Sequence, residues 1–321
     1  KEPAPYGTES VPMPDRQLLR GANFRLPRQG PDGGLTDAAE ELCLAVNAAI
    51  HLRRPLLVTG TPGTGKTSLA YAIAHELRLG RVLSWPITPR TELVEGLYRY
   101  EALDRLRDSQ RGETTTKAAD FITLGPVGTA FLPFERPRVL LIDEIDKSDL
   151  QLPNELLNLF EEGCFEIPPL KRETRKGEGE GDGGDEGKVD TDDPGGHALI
   201  KKGRVQCRAF PIVVMTSNRE RDFPPAFHRR CIRVEMPPPT DRDYLLDVVK
   251  SHFQTEWGKA GWSKVEILEQ IEAFLGSDST RDRAIDQLLN ALHVLGGPDG
   301  KRHGERQAKL LRAILFKRLS A

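Results

Sequence analysis

Residues 60–67 read Gly60-Thr61-Pro62-Gly63-Thr64-Gly65-Lys66-Thr67. The order G-x-x-x-x-G-K-[ST] is that of a loop that cradles phosphate, and both flanks agree with it. Pro55-Leu56-Leu57-Val58-Thr59 is a short apolar run that predicts a buried strand. Ser68 to Leu77 has helical spacing and strong helix formers. Strand, glycine loop and helix is the sequence of elements this chemistry requires. Gly60, Gly63 and Gly65 let the backbone curl with its N–H groups inward. A helix beginning near Lys66 adds its positive dipole end to that nest, beside Ser68. Lys66 then reaches the β- and γ-phosphates of ATP, and the Thr67 hydroxyl binds Mg²⁺. A glycine-rich turn with a chance lysine is the competing explanation, and the agreement of pattern with context weighs against it.

The second signal is Val139-Leu140-Leu141-Ile142-Asp143-Glu144. Four consecutive apolar residues predict a strand buried on both faces, as in a parallel sheet. Two carboxylates follow at its C-terminal end, where open α/β sheets place their ligands. Asp143 is expected to hold Mg²⁺ directly or through water. Glu144 is expected to accept the proton of an attacking water, or to polarise it. Alone, an Asp-Glu strand end is only moderately specific; downstream of the glycine loop it is strong.

Outward from these two stretches the chain divides into three. Residues 1–35 are rich in proline and glycine and predict a mostly irregular arm, packing locally through Leu18, Leu19, Phe24 and Leu26. Residues 36–236 form the α/β unit. Thr36 is a helix N-cap, and Leu42, Ala45, Val46 and Ala49 make the stripe of the helix that leads to the glycine loop. Arg81 to Thr88 predicts a strand, and Thr91 to Gln110 a helix with Leu93, Leu97, Leu103 and Leu106 on one face. Ser148 or Asp149 could cap the helix that follows Glu144. Phe165 to Ile167 predicts a strand, and Val205 to Phe210 is expected to pair back with Phe165 to Leu170 as a hairpin. Between them residues 171–203 shift to Gly, Glu and Asp, a flexible insertion too polar to pack. Pro211 to Thr216 is another buried strand, ending in Ser217-Asn218, and Cys231 to Glu235 is the last. Pro237-Pro238-Pro239 closes the unit as a stiff linker, and residues 237–321 are helical in pattern.

Composition bounds the rest. The 321 residues are ordinary in apolar content (38%) and carry a net charge of −2, which argues against a general affinity for nucleic acid or an anionic membrane. No apolar run approaches the ~20 residues of a membrane span. Cys43, Cys164, Cys207 and Cys231 have no zinc-type spacing and read as thiols in a reducing cytoplasm. The chain begins with lysine, which suits a piece of something longer.

Taken in this order, the glycine loop, the Asp-Glu strand, the Asn-tipped strand and the helical tail resemble the AAA+ ATPases, and within them the MoxR branch. The resemblance covers about Thr36 to Ala321. Gly60–Thr67 matches Walker A, Val139–Glu144 Walker B, and Asn218 sensor one, which orients the attacking water. Phe227-His228-Arg229-Arg230-Cys231 resembles the stretch carrying the arginine finger, with Arg230 the first choice and Arg229 the second. Arg281 and Arg283 both qualify for sensor two, though neither sits in a clean match. The hairpin from Phe165 to Phe210 resembles the pre-sensor hairpin, and the segment after Thr88 the insertion in the second helix. The family implies a five-stranded parallel sheet between helices, then a small helical lid. It further implies a homo-oligomer, a hexameric ring, working beside a partner with a von Willebrand A domain. The insertion and Leu97-Tyr98-Arg99-Tyr100 resemble members found in bacterial conflict or signalling systems.

Three readings of function compete. The first is Mg-dependent ATP hydrolysis that remodels or assembles a protein partner. The second is a nucleotide-gated switch or scaffold with slow hydrolysis; Glu144, Asn218 and Arg230 together favour the first over it. The third is a nucleic-acid motor, prompted by Lys301, Arg302, Arg306, Lys309, Arg312, Lys317 and Arg318. Such a run is usually a solvated helix face, and it lacks stacking aromatics beyond Phe316. A small-molecule kinase ranks fourth, since nothing resembles an acceptor site. His228 reads as a loop histidine, and Trp85, Trp257 and Trp262 as packing residues.

Overall fold

The computed structural model describes residues 11–29, 34–110, 117–177, 186–239, 241–253, 264–276, 284–296 and 305–316. Helix α1 (Asp15–Ala22) opens after Pro14 with an acid in its first turn and Arg20 in its last, which suits the helix dipole. A ribbon of β1 (Arg28–Gln29) and β2 (Gly34–Leu35) leads to α2 (Asp37–Leu52). Thr36 caps α2, its Oγ1 accepting from Ala39 N at 3.3 Å. Strand β3 (Leu56–Thr59), the glycine loop and α3 (Lys66–Glu76) follow, then β4 (Leu83–Pro86), α4 (Leu93–Leu97), β5 (Tyr98–Tyr100) and α5 (Ala102–Gln110). Next come β6 (Ile122–Leu124), α6 (Pro126–Ala130), β7 (Val139–Asp143), α7 (Gln151–Glu162), β8 (Cys164–Glu166) and α8 (Pro168–Gly177). Strands β9 (Glu186–Asp190), β10 (His197–Lys201), β11 (Arg204–Gln206) and β12 (Ile212–Ser217) precede α9 (Pro225–Arg230) and β13 (Ile232–Glu235). Four helices end the described chain: α10 (Arg242–His252), α11 (Lys264–Leu275), α12 (Ile285–Gly296) and α13 (Glu305–Leu315).

The central sheet is five-stranded and parallel, in the order β13-β3-β12-β7-β4, with helices on both faces. Its strands alternate between two cores, as the pleat requires. Leu57, Leu140, Ile142, Val213 and Met215 enter one, with Trp85 and Phe131. Leu56, Val58, Val139, Leu141, Ile212 and Val214 enter the other, under α2 and α3. The C-terminal helices make a third apolar cluster around Leu245, Ile271, Phe274, Leu288 and Leu292. No helix among the described residues is long and apolar enough to cross a membrane.

Four readings are corrected. The described part of the arm, residues 11–29 and 34–35, is not mostly irregular: Gly21 lets α1 lie directly on α3, where a Cβ would sit 2.5 Å from Tyr71 O. Phe24 and Leu26 pack against the second core, while Leu18 and Leu19 stay exposed. The single helix over Thr91 to Gln110 is broken by β5. Tyr98 and Tyr100 pair with Leu124 and Ile122 across β6, so a partner strand overrides the leucine spacing. Leu103 is 70% exposed, outside any core.

The third correction concerns residues 171–203. The described ones, 171–177 and 186–203, do pack, against and within a second sheet of order β5-β6-β9-β10-β11-β8. β8 and β11 pair antiparallel as expected, with Val205 opposite Phe165, but only over residues 164–166 and 204–206, because Pro168 begins α8. Beyond it Val189, Ala198 and Ile200 are buried at every second position, and Leu170 of α8 joins them. Few apolar residues suffice when they alternate, a pattern that average composition conceals. Glu173 ties α8 down by accepting from Ala118 N at 2.9 Å and pairing with Arg105 at 2.7 Å. The β9–β10 turn is pinned by Asp193, 5% exposed, to Arg138, 3% exposed, with contacts of 2.7 and 2.8 Å. Arg81 also reaches Asp192 and Asp193.

His228 lies on α9, not in a loop, with its ring edge-on to Phe223. Trp85 is buried, and Trp257 and Trp262 fall outside the described residues. All four cysteines are free, and burial pushes the Cys231 thiol up to about 12.

Candidate nucleotide site

The parallel register brings three strand ends together. Thr59 of β3 pairs with Ser217 of β12, and Met215 of β12 with Ile142 of β7. Gly60, Asn218 and Asp143 therefore leave the sheet side by side at its C-terminal edge. Gly60, Gly63 and Gly65 have φ of 149°, 76° and 89°, which curls the loop as the sequence requires. Gly63 has a second reason to be glycine: a Cβ would fall 2.0 Å from Ala284 Cβ. Just after Ala284, Ile285 N donates to Gly63 O at 3.1 Å, so α12 closes over the loop. Thr61 and Thr64 brace it, with Thr64 Oγ1 donating to Thr61 O at 2.9 Å. Pro62 sits at its turn, and Ser68 lies in the first turn of α3.

Lys66 is 7% exposed and points into the loop, its Nζ donating to Gly60 O at 2.9 Å and Thr61 O at 2.8 Å. Burial lowers the pKa of its ammonium, opposed by the charges of Asp146, Asp143 and Glu144. Asp143 Oδ1 accepts from Thr67 Oγ1 at 3.0 Å and from Thr216 Oγ1 at 2.6 Å. Thr216 Oγ1 in turn accepts from Glu144 N at 2.8 Å. Glu144 adopts a left-handed φ of 61°, which carries its side chain off the strand. There it pairs with Lys147 Nζ at 2.6 Å. The pairing pushes the Lys147 ammonium above its usual value. Asn218 N donates to Asp146 Oδ2 at 2.8 Å, as does Glu220 N at 3.1 Å.

The donor chemistry fits a magnesium nucleotide. A hydroxyl and a carboxylate face one another, both hard oxygen ligands. No cluster of three or more His, Cys, Asp or Glu that could hold a metal by itself occurs among the described residues.

A family model described as AAA domain, dynein-related subfamily, matches residues 55–231, more than half of the chain. This chain belongs to that family. Its AAA domain is thus an ATPase domain, and the strand order and the loop are those of the family fold. No curated protein gives a significant match. Among solved structures, NtrX from Brucella abortus in complex with ATP is similar at 15% identity with a TM-score of 0.51; 91% of this chain and 56% of that one are covered. The NtrX complex with ADP matches at 14% and 0.48, over 95% and 59%. Thermotoga maritima RuvB matches at 16% and 0.44, over 90% and 73%. The chain spans a little over half the length of the NtrX chains.

Arg229 and Arg230 are not brought to this AAA domain's own loop. β13 runs parallel to β3, with Ile232 opposite Leu56 and Glu235 opposite Thr59. Residues 229 and 230 thus lie beyond the far end of β13, and the strand alone spans about 10 Å. Arg230 forms an ion pair with Glu161 of α7, whereas the Arg229 side chain has no partner among the described residues. Arg281 and Arg283 fall outside the described residues. Sequence reasoning missed Thr216, Asp146 and Lys147. The last two follow Glu144 closely, in the run Glu144-Ile145-Asp146-Lys147, and that proximity is the signal. Nothing local marks Thr216, because only strand pairing sets it beside Asp143.

Proposed function

We propose that the chain is a MoxR-like AAA+ ATPase that couples Mg-dependent hydrolysis of ATP to remodelling or assembly of a protein partner. The observation that supports hydrolysis best is the continuous run of bonds from Thr67 through Asp143 and Thr216 to Glu144, with Asp146 tying in Asn218. In this reading Gly60–Ser68 hold the phosphates through backbone N–H groups, and Lys66 fixes the β- and γ-phosphates. Thr67 and Asp143 hold magnesium, which when bound offsets charge on the phosphates. Glu144 takes the proton of the attacking water, and Asn218 orients that water. Arg230, or Arg229 behind it, serves the site of a neighbouring subunit. Their place at the opposite end of the sheet supports action between subunits and hence a homo-oligomer, a hexameric ring by analogy. Residues 36–236 act as the nucleotide-binding domain and 237–321 as a lid. The four free cysteines suit the reducing cytoplasm. The partner we favour carries a von Willebrand A domain. A membrane or nucleic-acid target is not proposed.

A Glu144→Gln variant tests this. It should bind Mg-ATP and lose hydrolysis by about 10²-fold or more, since an amide cannot accept the proton. The trapped form should retain a protein partner in a pull-down. Turnover at the parent rate would sink the assignment of the base.

One observation favours a second reading, the slow nucleotide-gated switch. Lys147 engages Glu144 at 2.6 Å, and a base held in an ion pair hydrolyses slowly until the pair opens.

A further inference from the structure

The nucleotide site has one cation that the motifs do not explain. Arg20 reaches from α1 to the first turn of α3, with Nε donating to Ser68 Oγ at 3.1 Å. Its guanidinium lies 4.9 Å from the centre of the Tyr71 ring. Lys66 and the positive end of the α3 dipole already occupy this place, and α3 has no acidic residue in its first turn. Arg20 adds an exposed third positive group to this end of α3, which favours an anion there. The carboxylate Asp143 lies on Thr67, toward the γ-phosphate end. Ser68 is the next residue of α3, turned about 100° around the helix from Thr67. Phe24 and Met236 also stand by the loop, 4.0 and 3.7 Å from the position of a Cβ on Gly65. α1 itself is held firmly: Gly21 presses on Tyr71, and Ser251 Oγ of α10 donates to Asn23 O at 3.2 Å.

We infer that Arg20 is a nucleotide-binding residue, contacting the α-phosphate. This rests on the nucleotide reading proposed above and extends it to α1. The exposed guanidinium keeps its stack on Tyr71 and turns its outer N–H groups to the phosphate oxygens, a charge-assisted contact. Because ATP and ADP share the α-phosphate, Arg20 adds to the affinity of both and does not distinguish them. An arginine that merely clamps α1 to α3 would move thermal stability and leave nucleotide affinity alone.

The test titrates Mg-ATP and Mg-ADP into the full chain and into Arg20→Ala, Arg20→Lys and Lys66→Ala, with melting temperatures measured for each. Arg20→Ala should weaken both nucleotides about tenfold and by the same factor. Arg20→Lys should recover part of the loss, since the charge stays and the fork goes. In steady state the defect should fall on KM. Equal affinities in Arg20→Ala and parent would overturn the proposal, as would a loss confined to ATP, which would place Arg20 on the γ-phosphate. A lower melting temperature with unaltered affinity would mark the clamp alone. If the parent bound neither nucleotide, or Lys66→Ala bound as well as the parent, the nucleotide reading itself would fall, and Arg20 with it.

Discussion

Lys147 and Glu144 are both about two-fifths exposed, so their ion pair is screened and worth roughly 1 kcal/mol at most. That is enough to set how often the carboxylate is available. Lys147→Ala should therefore raise basal phosphate release by up to about fivefold, and a rate equal to or below the parent's would show that the pair does not gate. Asp146 is a different case. It is 3% exposed, accepts from two backbone N–H groups with one oxygen, and leaves Oδ1 without a partner among the described residues. Asp146→Ala would orphan the N–H groups of Asn218 and Glu220, at about 1–3 kcal/mol in stability. Turnover should drop with it while Mg-ATP affinity is largely kept, because the phosphate loop is untouched. Denaturant melts and single-turnover assays separate the two effects, and an unaltered turnover would mean that Asn218 needs no such support.

At the scale of elements, the β9–β10 turn couples the second sheet to the roots of β4 and β7. Burial alone would raise the Asp193 carboxyl, but hydrogen bonds and charge from Arg138 and Arg81 hold it below the usual carboxylate range. A depressed carboxylate contributes stability that is complete above its unfolded pKa of about 3.9 and is lost as pH falls through the folded value. Asp193→Ala should cost about 3–5 kcal/mol near neutral pH, because it leaves the buried Arg138 without its counter-charge. The gap between variant and parent should close as pH falls below about 4. A constant gap from pH 7 to pH 3, in urea melts, would remove the ion pair from the explanation. By the same logic, replacing residues 171–203 with a short Gly-Ser link should destabilise the fold, since it removes β9, β10 and their buried side chains. Those segments looked too polar to pack because Val189, Ala198 and Ile200 are scattered among charges, and only the pairing of strands gathers them on one face.

For the molecule as a whole, the question is whether activity belongs to one chain or to several. Arg230 stands at the end of the sheet opposite the glycine loop, so the finger role proposed for it requires another copy of the chain. Specific activity should then rise with protein concentration. Arg230→Ala should keep ATP affinity and lose turnover by about 10³-fold, by analogy with fingers in other P-loop enzymes. Mixing it with Lys66→Ala should restore part of the rate, because each variant supplies what the other lacks. Arg229→Ala is the control with the smaller expected effect. The pairing of Arg230 with Glu161 makes this comparison necessary, since the Arg229 side chain has no partner among the described residues. Flat specific activity on dilution and no rescue would point to the slow switch instead.

The glycine loop and the strand Val139–Asp143 were legible in the sequence because their chemistry is local. A φ near +80° needs glycine, a phosphate needs fixed N–H donors, and a doubly covered strand needs consecutive apolar residues. The separate strands and helices of that unit were read by the same short-range rules, but the five-stranded parallel arrangement was what the resemblance to the AAA+ ATPases implied. Tertiary structure alone decided what pairing and docking across the chain decide. It set Thr216 beside Asp143, closed Ala284 over Gly63, laid Arg20 of α1 on Ser68, and turned Tyr98-Arg99-Tyr100 from helix to strand. These contacts join residues far apart in sequence, and no spacing rule carries them. They form because burying an apolar face, or satisfying a buried charge, outweighs the local preference of the segment that supplies it.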